Sequence, residues 1–174
     1  MFYIEAPRRV PDEPRFRVPR IFMAGGITEC PDWQKELRER LVNIDAVLIN
    51  PRRANFPIHD PDAAAAQIEW EHQNLAASDA ILFWFPAETL CPIVLFELGA
   101  WSHWRKRVNV PSYPHFKMES KPLFVATHSD YKRRQDVEIQ LKLERPDIDV
   151  LDTLEGLAQQ VETWCEAQGE KRRW

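Results

Sequence analysis

The sequence predicts a single α/β domain: a doubly wound, mostly parallel sheet of about five strands with helices on both faces. Three observations predict it. Short apolar runs of strand length alternate along the chain with stretches of helical periodicity. The runs are continuous rather than alternating apolar with polar, as in strands buried on both faces. Most of them end in Gly, Pro or Asn, which break regular structure and mark turns.

Length and composition agree. A chain of 174 residues suits one domain. At that size roughly 70% of the unfolded surface is buried, so no disulfide or metal staple is needed. Apolar residues at 44% and charged residues at 29% exclude the disordered class. A net charge of −4 argues against polymeric nucleic acid as the main ligand. Cys30, Cys91 and Cys165 are widely spaced and form no CxxC, which points to a reducing, cytoplasmic setting. No apolar run approaches the ~18 residues that span a bilayer, so no membrane partner is expected. The N-terminus lacks a continuous hydrophobic region of signal-peptide type.

Residues 1–19 read as an N-terminal arm rather than an element. Pro7, Pro11, Pro14 and Pro19 deny it a helix, and Arg8, Arg9, Arg15 and Arg17 make it basic. It is expected to pack on the domain or on a neighbouring subunit, with phosphate contact as the alternative. The domain proper spans 20–168, and 169–174 is a charged tail. Ile21–Ala24 is a buried strand closed by the Gly25-Gly26 turn. Pro31 suits the first turn of a helix on which Trp33, Leu37 and Leu41 recur every four residues. Ala46–Ile49 is the second strand, closed by Asn50-Pro51, and a turn-rich loop follows over 52–62. A helix is expected to begin among Ala63–Ala66 and to end near Ala77. Asp79–Phe85 gives the strongest strand signal, and Pro86 ends it. Pro92 opens a helix carrying Ile93, Phe96, Glu97, Ala100, Trp101 and Trp104. Residues 107–120 read as irregular. Leu123–Ala126 is the fourth strand, Tyr131–Leu143 a helix, and Ile148–Leu151 a short fifth strand. Asp152 and Glu155 offer a capping box to the last helix, whose Leu154, Leu157, Ala158, Val161, Trp164 and Cys165 form an amphipathic stripe.

Five such strands suit a flavodoxin-like (Rossmann-like) order. Ligands then bind outside the carboxyl ends of the strands, at the point where the order reverses. The segments there are Gly25-Gly26, Asn50-Pro51-Arg52, Phe85-Pro86 and Ala126-Thr127-His128. Gly25-Gly26 lets backbone approach a ligand, unless it is a plain turn. Neither GxGxxG nor GxxxxGK[ST] occurs, which excludes a dinucleotide fingerprint and a P-loop.

Glu97 stands out. It lies about five residues into a helix and is flanked by Ile93, Val94, Leu95, Phe96, Leu98 and Trp101. A carboxylate so placed is costly unless paired or functional. The helix N-terminus is expected to favour its ionised form. Ionised and positioned, it is a competent nucleophile toward an anomeric carbon; an ion pair with an arginine is the structural alternative. Glu69, Glu71 and His72 cluster with Trp70 on the preceding helix, either facing the same crevice or forming a solvated face. Asp32 either binds a sugar hydroxyl or favours a helix N-terminus. Trp33 and Trp84, near the strand ends, are candidates to stack on a base, although most of the tryptophans belong to the core. His59, His103, His115 and His128 show no metal spacing, so neither metal nor cofactor is expected.

These residues form an ordered set. Ile21-Phe22-Met23-Ala24-Gly25-Gly26-Ile27, Asp32-Trp33-Gln34 and Leu48-Ile49-Asn50-Pro51-Arg52-Arg53 come first. Gln67-Ile68-Glu69-Trp70-Glu71, Asp79–Phe85 and Pro92–Gly99 follow. The set, which extends more loosely to Asp130-Tyr131 and Arg133-Arg134-Gln135-Asp136-Val137, resembles the nucleoside 2-deoxyribosyltransferase superfamily, in particular its divergent "like" branch, over roughly residues 20–140. The resemblance implies a flavodoxin-like fold and cleavage of an N-glycosidic bond through a covalent glycosyl-glutamate. It assigns the nucleophile to Glu97, the base-contacting group to Glu71 and the sugar site to Gly25-Gly26; the leading reading adds Glu71 as a candidate proton donor, Asp32 at the sugar end, and Asn50 and Arg52 at its rim. It also implies a small nucleoside or nucleotide as partner and a homo-oligomer. The acidic, glycine-containing stretch that precedes the nucleophile helix in the family's transferases is replaced here by Thr89-Leu90-Cys91-Pro92-Ile93. Glu71 stands where the family has an aspartate. Two other readings fit the same residues: a nucleotide-derivative sensor without turnover, and a hydrolase of NAD-like ribosyl compounds.

Overall fold

The computed structural model of the chain describes residues 1–13, 16, 18–57, 59–109 and 116–171. In chain order the elements are β1 (Phe2–Glu5), β2 (Arg20–Gly25), α1 (Trp33–Arg40), β3 (Val47–Asn50), α2 (Pro61–Ala77), β4 (Ala80–Phe85) and α3 (Pro92–His103). Then come β5 (Arg105–Asn109), β6 (Phe116–Ser120), β7 (Leu123–Thr127), α4 (Arg134–Glu144), β8 (Val150–Leu151) and α5 (Leu154–Lys171). The main sheet has the order β1-β3-β2-β4-β7-β8, and every pairing in it is parallel. Without β1, this is the flavodoxin-like order, the second strand lying outside the first.

The apolar runs lack alternation because both faces are covered. Phe22, Ala24, Ile49, Ile81, Phe83 and Phe85 pack against Trp70 and Leu75 of α2, Val94 and Leu98 of α3, and Val137 and Leu141 of α4. Ile21, Met23, Leu48, Leu82 and Phe124 pack on the other side against Trp33 and Leu37 of α1 and Leu157 and Val161 of α5. The chain leaves β2 toward β3 and leaves β4 in the opposite direction, toward β7. The carboxyl ends of β2 and β4 therefore flank the reversal. Gly25 sits beside Trp84 in register there.

Besides the later starts of α4, at Arg134 rather than Tyr131, and of β8, at Val150 rather than Ile148, four elements differ from the sequence reading. Residues 2–5, expected within an arm, form β1 and extend the sheet, Phe2 beside Val47 through Glu5 beside Asn50. The chain-breaking prolines begin only at Pro7, so the first residues are free to pair. The described part of the segment after β1 lies on the domain. The Trp70 indole N–H donates to the Arg8 carbonyl at 3.0 Å, and Phe16 packs 4.6 Å from Phe2. Pro14, Arg15, Arg17, His115 and the tail residues 172–174 lie outside the described residues.

Second, α2 starts at Pro61, because the Asp60 side chain accepts from the Asp62 N–H at 3.0 Å and proline occupies the first helical position. Third, β5 and β6 form an antiparallel ribbon where irregular chain was expected; residues 110–115 between them lie outside the described set. A charge-rich ribbon pairs through its backbone and leaves no apolar periodicity to read. Fourth, the cap of α5 is Thr153, which accepts from the Gly156 N–H at 3.1 Å. Glu155 bonds Arg40 instead of closing a capping box. Among the described residues, no helix is long and apolar enough to cross a membrane.

Candidate functional site

A crevice of about 460 Å³ opens between α2 and α3 over the carboxyl end of β2. Its floor is Phe22, Ala24 and the Gly25-Gly26 turn. Ala64, Gln67, Ile68 and Glu71 form one wall, spaced to share a single face of α2. Ile93, Val94 and Glu97 of α3 form the other. Thr28, Pro51, Phe56 and Cys91 also border it.

The floor exists because two positions lack a Cβ. A Cβ on Gly25 would fall on the Trp33 ring and 2.5 Å from the Trp84 carbonyl oxygen. One on Gly26 would lie 2.6 Å from Pro86 Cγ, 2.9 Å from Thr89 Cγ2 and 3.0 Å from Cys91 Sγ. The turn after β2 is thus pressed against the loop that leads into α3. That loop enters the helix through Cys91, a non-glycine residue at φ 48°, with no side-chain cap. Left-handed backbone at a β-carbon residue is strained, and such strain gathers at functional sites.

Two carboxyls dominate the electrostatics. Burial first, and the negative charge of Glu71 second, push Glu97 up to about 7. Burial also raises Glu71, opposed by a 2.7 Å hydrogen bond from the Gln67 amide. The expected preference of the helix end for an ionised Glu97 is therefore outweighed. Glu97 is past the first turn, where the dipole effect fades, and desolvation acts on it directly. Among the described residues no Arg, Lys or His forms an ion pair with either carboxyl.

Of the residues singled out from sequence, the structure brings Glu97, Glu71, Gly25 and Gly26 together. Asp32, Trp33, Asn50, Arg52 and Trp84 do not line this crevice. Asp32 caps α1, accepting from the Lys35 N–H at 3.1 Å. Trp33 is buried and donates to the Gly26 carbonyl at 2.8 Å. Asn50 is buried, donating to the Tyr3 hydroxyl at 2.7 Å and accepting from the Arg52 N–H at 2.9 Å. The Arg52 guanidinium reaches Gln34 Oε1 and the Pro31 carbonyl, each at 2.9 Å, and the Gly26 carbonyl at 3.4 Å. Trp33 and Arg52 thus hold the glycine turn from behind through the Gly26 carbonyl. Trp84 points to the opposite face of the sheet, edge-on to His128 at 6.4 Å. Glu69 and His72 are exposed on α2.

Sequence reasoning did not single out Gln67 or Phe56. Gln67 precedes Glu71 by one helical turn, a spacing that was readable. Phe56 comes from the turn-rich loop, where no periodicity announces it; the Arg53 guanidinium lies 5.3 Å from its ring centre.

The family described as nucleoside 2-deoxyribosyltransferase like matches residues 18–113, more than half of the chain. That span contains the glycine turn, Glu71 and Glu97. No curated protein matches the chain.

Proposed function

The chain belongs to the nucleoside 2-deoxyribosyltransferase-like family, and on that premise we propose that it cleaves the N-glycosidic bond of a nucleoside or nucleotide with Glu97 as nucleophile. The observation that supports this best is the state of Glu97: a carboxyl on the crevice wall, desolvated, without a cationic partner among the described residues, and electrostatically linked to a second carboxyl. A buried carboxyl kept as structure would carry such a partner.

In the proposed step an oxygen of ionised Glu97 bonds to the anomeric carbon. The carbon–nitrogen bond breaks, its electron pair goes to the base nitrogen, and a proton from solvent neutralises the leaving base. A second base or water then takes the sugar and frees Glu97. No Arg, Lys or His is among the described residues lining the crevice. Ile68 and Ile93, which line the crevice, are exposed at 67% and 66%, and Phe96 on the same helix as Ile93 at 75%, which supports a homo-oligomer whose second copy covers them; light scattering on the purified protein tests it. The catalytic reading is tested by measuring base release from a panel of nucleosides and nucleotides by the wild type and Glu97→Ala. The expected result is release that the substitution abolishes; undiminished release by Glu97→Ala would sink the assignment.

A further inference from the structure

We propose that Gln67 is a positioning residue of this site, gripping the Glu71 carboxylate and the end of β3 at once so that Glu71 is held, charged, opposite Glu97. The proposal rests on the reading of Glu71 and Glu97 as the working pair. Gln67 Nε2 donates to Glu71 Oε1 at 2.7 Å and to the Pro51 carbonyl at 2.9 Å. An amide nitrogen carries two hydrogens, so both are engaged. The Pro51 carbonyl can only accept, which fixes which end of the amide is the nitrogen.

The other end of the same amide is the telling one. Gln67 Oε1 is buried and has no partner among the described residues. A glutamine retained for packing alone would satisfy both ends or give way to an apolar side chain, and a buried orphan acceptor calls for a reason. The donor end supplies it. Pro51 directly follows β3, so the grip ties Glu71 to the sheet as well as to its own helix.

The groups around Glu71 leave this role to Gln67. From α3 comes Glu97, whose charge would repel it. From the start of α3 comes the Cys91 thiol, which burial pushes up to about 12 and which is therefore neutral. From β2 and its turn come Phe22, Ala24 and two glycines, none titratable. Among the described residues Gln67 is the one recorded hydrogen-bond donor to Glu71. The N–H it gives to Glu71 favours the charged form of that carboxyl, as a hydrogen bond to a carboxylate does.

The test is a carbon-13 carboxyl NMR titration of wild type and Gln67→Met, with resonances assigned through Glu71→Gln and Glu97→Gln. Methionine keeps the length of the side chain and removes both donors. The expected result is a Glu71 midpoint raised by about one pH unit in a variant with cooperative unfolding. An unmoved Glu71 midpoint overturns the proposal. Should Gln67→Met not fold, the wild type answers alone. The Gln67 side-chain amide protons are expected to shift at the Glu71 midpoint, and amide protons blind to that titration overturn the proposal. The catalytic reading fails separately: no base release by the wild type, with the Glu71 midpoint moving as expected, removes the reaction and leaves the grip standing.

Discussion

Glu71 on α2 and Glu97 on α3 share one crevice, and the charge of the first adds to burial in raising the proton affinity of the second to about 7. Attack by Glu97 requires its ionised form. Base release should therefore rise as pH passes through about 7. Glu71→Gln removes the repelling charge, so the midpoint should fall. It should stay above the ordinary glutamate range, because burial is the larger cause and remains. The pH dependence of kcat/KM for both proteins checks this; a midpoint that stays in place in Glu71→Gln would contradict it.

The same raised pKa predicts how stability depends on pH. The folded state holds a proton on Glu97 over a range where the unfolded chain has lost it. The contribution is complete below the ordinary glutamate value and is lost as pH rises through about 7. Glu97→Gln should therefore stabilise the fold at pH 8 relative to wild type, by up to ~3 kcal/mol, and should do little at pH 4. Denaturant melts at the two values measure it, and an equal effect at both would contradict the account.

The glycine turn should tolerate no side chain. Gly25→Ala sets a methyl against the Trp84 carbonyl, which cannot move without the sheet, and against the buried Trp33 ring. Overpacking there should cost ~1–3 kcal/mol or more. Gly26→Ala meets the Pro86, Thr89 and Cys91 side chains. It should cost less stability while disturbing the loop that leads into α3. Thermal melts of both variants, with base release for Gly26→Ala, distinguish a folding role from a shaping role.

Lys121 should prove structural. It is buried, donates to the Leu75 and Ala76 carbonyls in the last turn of α2 at 2.6 and 3.0 Å, and lies 4.2 Å from the Trp101 ring centre. It closes a helix end whose carbonyls lack intrahelical partners. Burial lowers it to about 8. The unfolded chain thus binds the extra proton between about 8 and the ordinary lysine value, and wild-type stability should rise with pH across that window. Lys121→Ala should cost ~2 kcal/mol at neutral pH and abolish that rise, as urea melts at several pH values would show.

The sheet was legible because its strands are buried on both faces: Ile21–Ala24, Ala46–Ile49 and Asp79–Phe85 have no polar positions within their apolar runs to confuse the reading. Strand β1 was not, since Phe2–Glu5 lies next to a proline-rich segment that masks it. At the site, Glu97 and the glycines announced themselves as local oddities. Asp32, Asn50 and Arg52 had the same polar character near the strand ends, yet Asp32 caps α1, Asn50 bonds Tyr3, and Arg52 reaches the Gly26 carbonyl from outside the crevice. Sequence places a residue near a strand end but does not say on which side of the sheet its side chain leaves. Trp84 shows this most simply, for the strand's alternation turns it away from the crevice.

The most direct test of the account is intact-protein and peptide mass spectrometry after rapid quenching with a nucleoside substrate. The predicted result is a mass increase of one dehydrated sugar on the peptide that contains Glu97, absent in Glu97→Gln. Base release at full rate by Glu97→Gln, or the sugar carried on another residue, would contradict it.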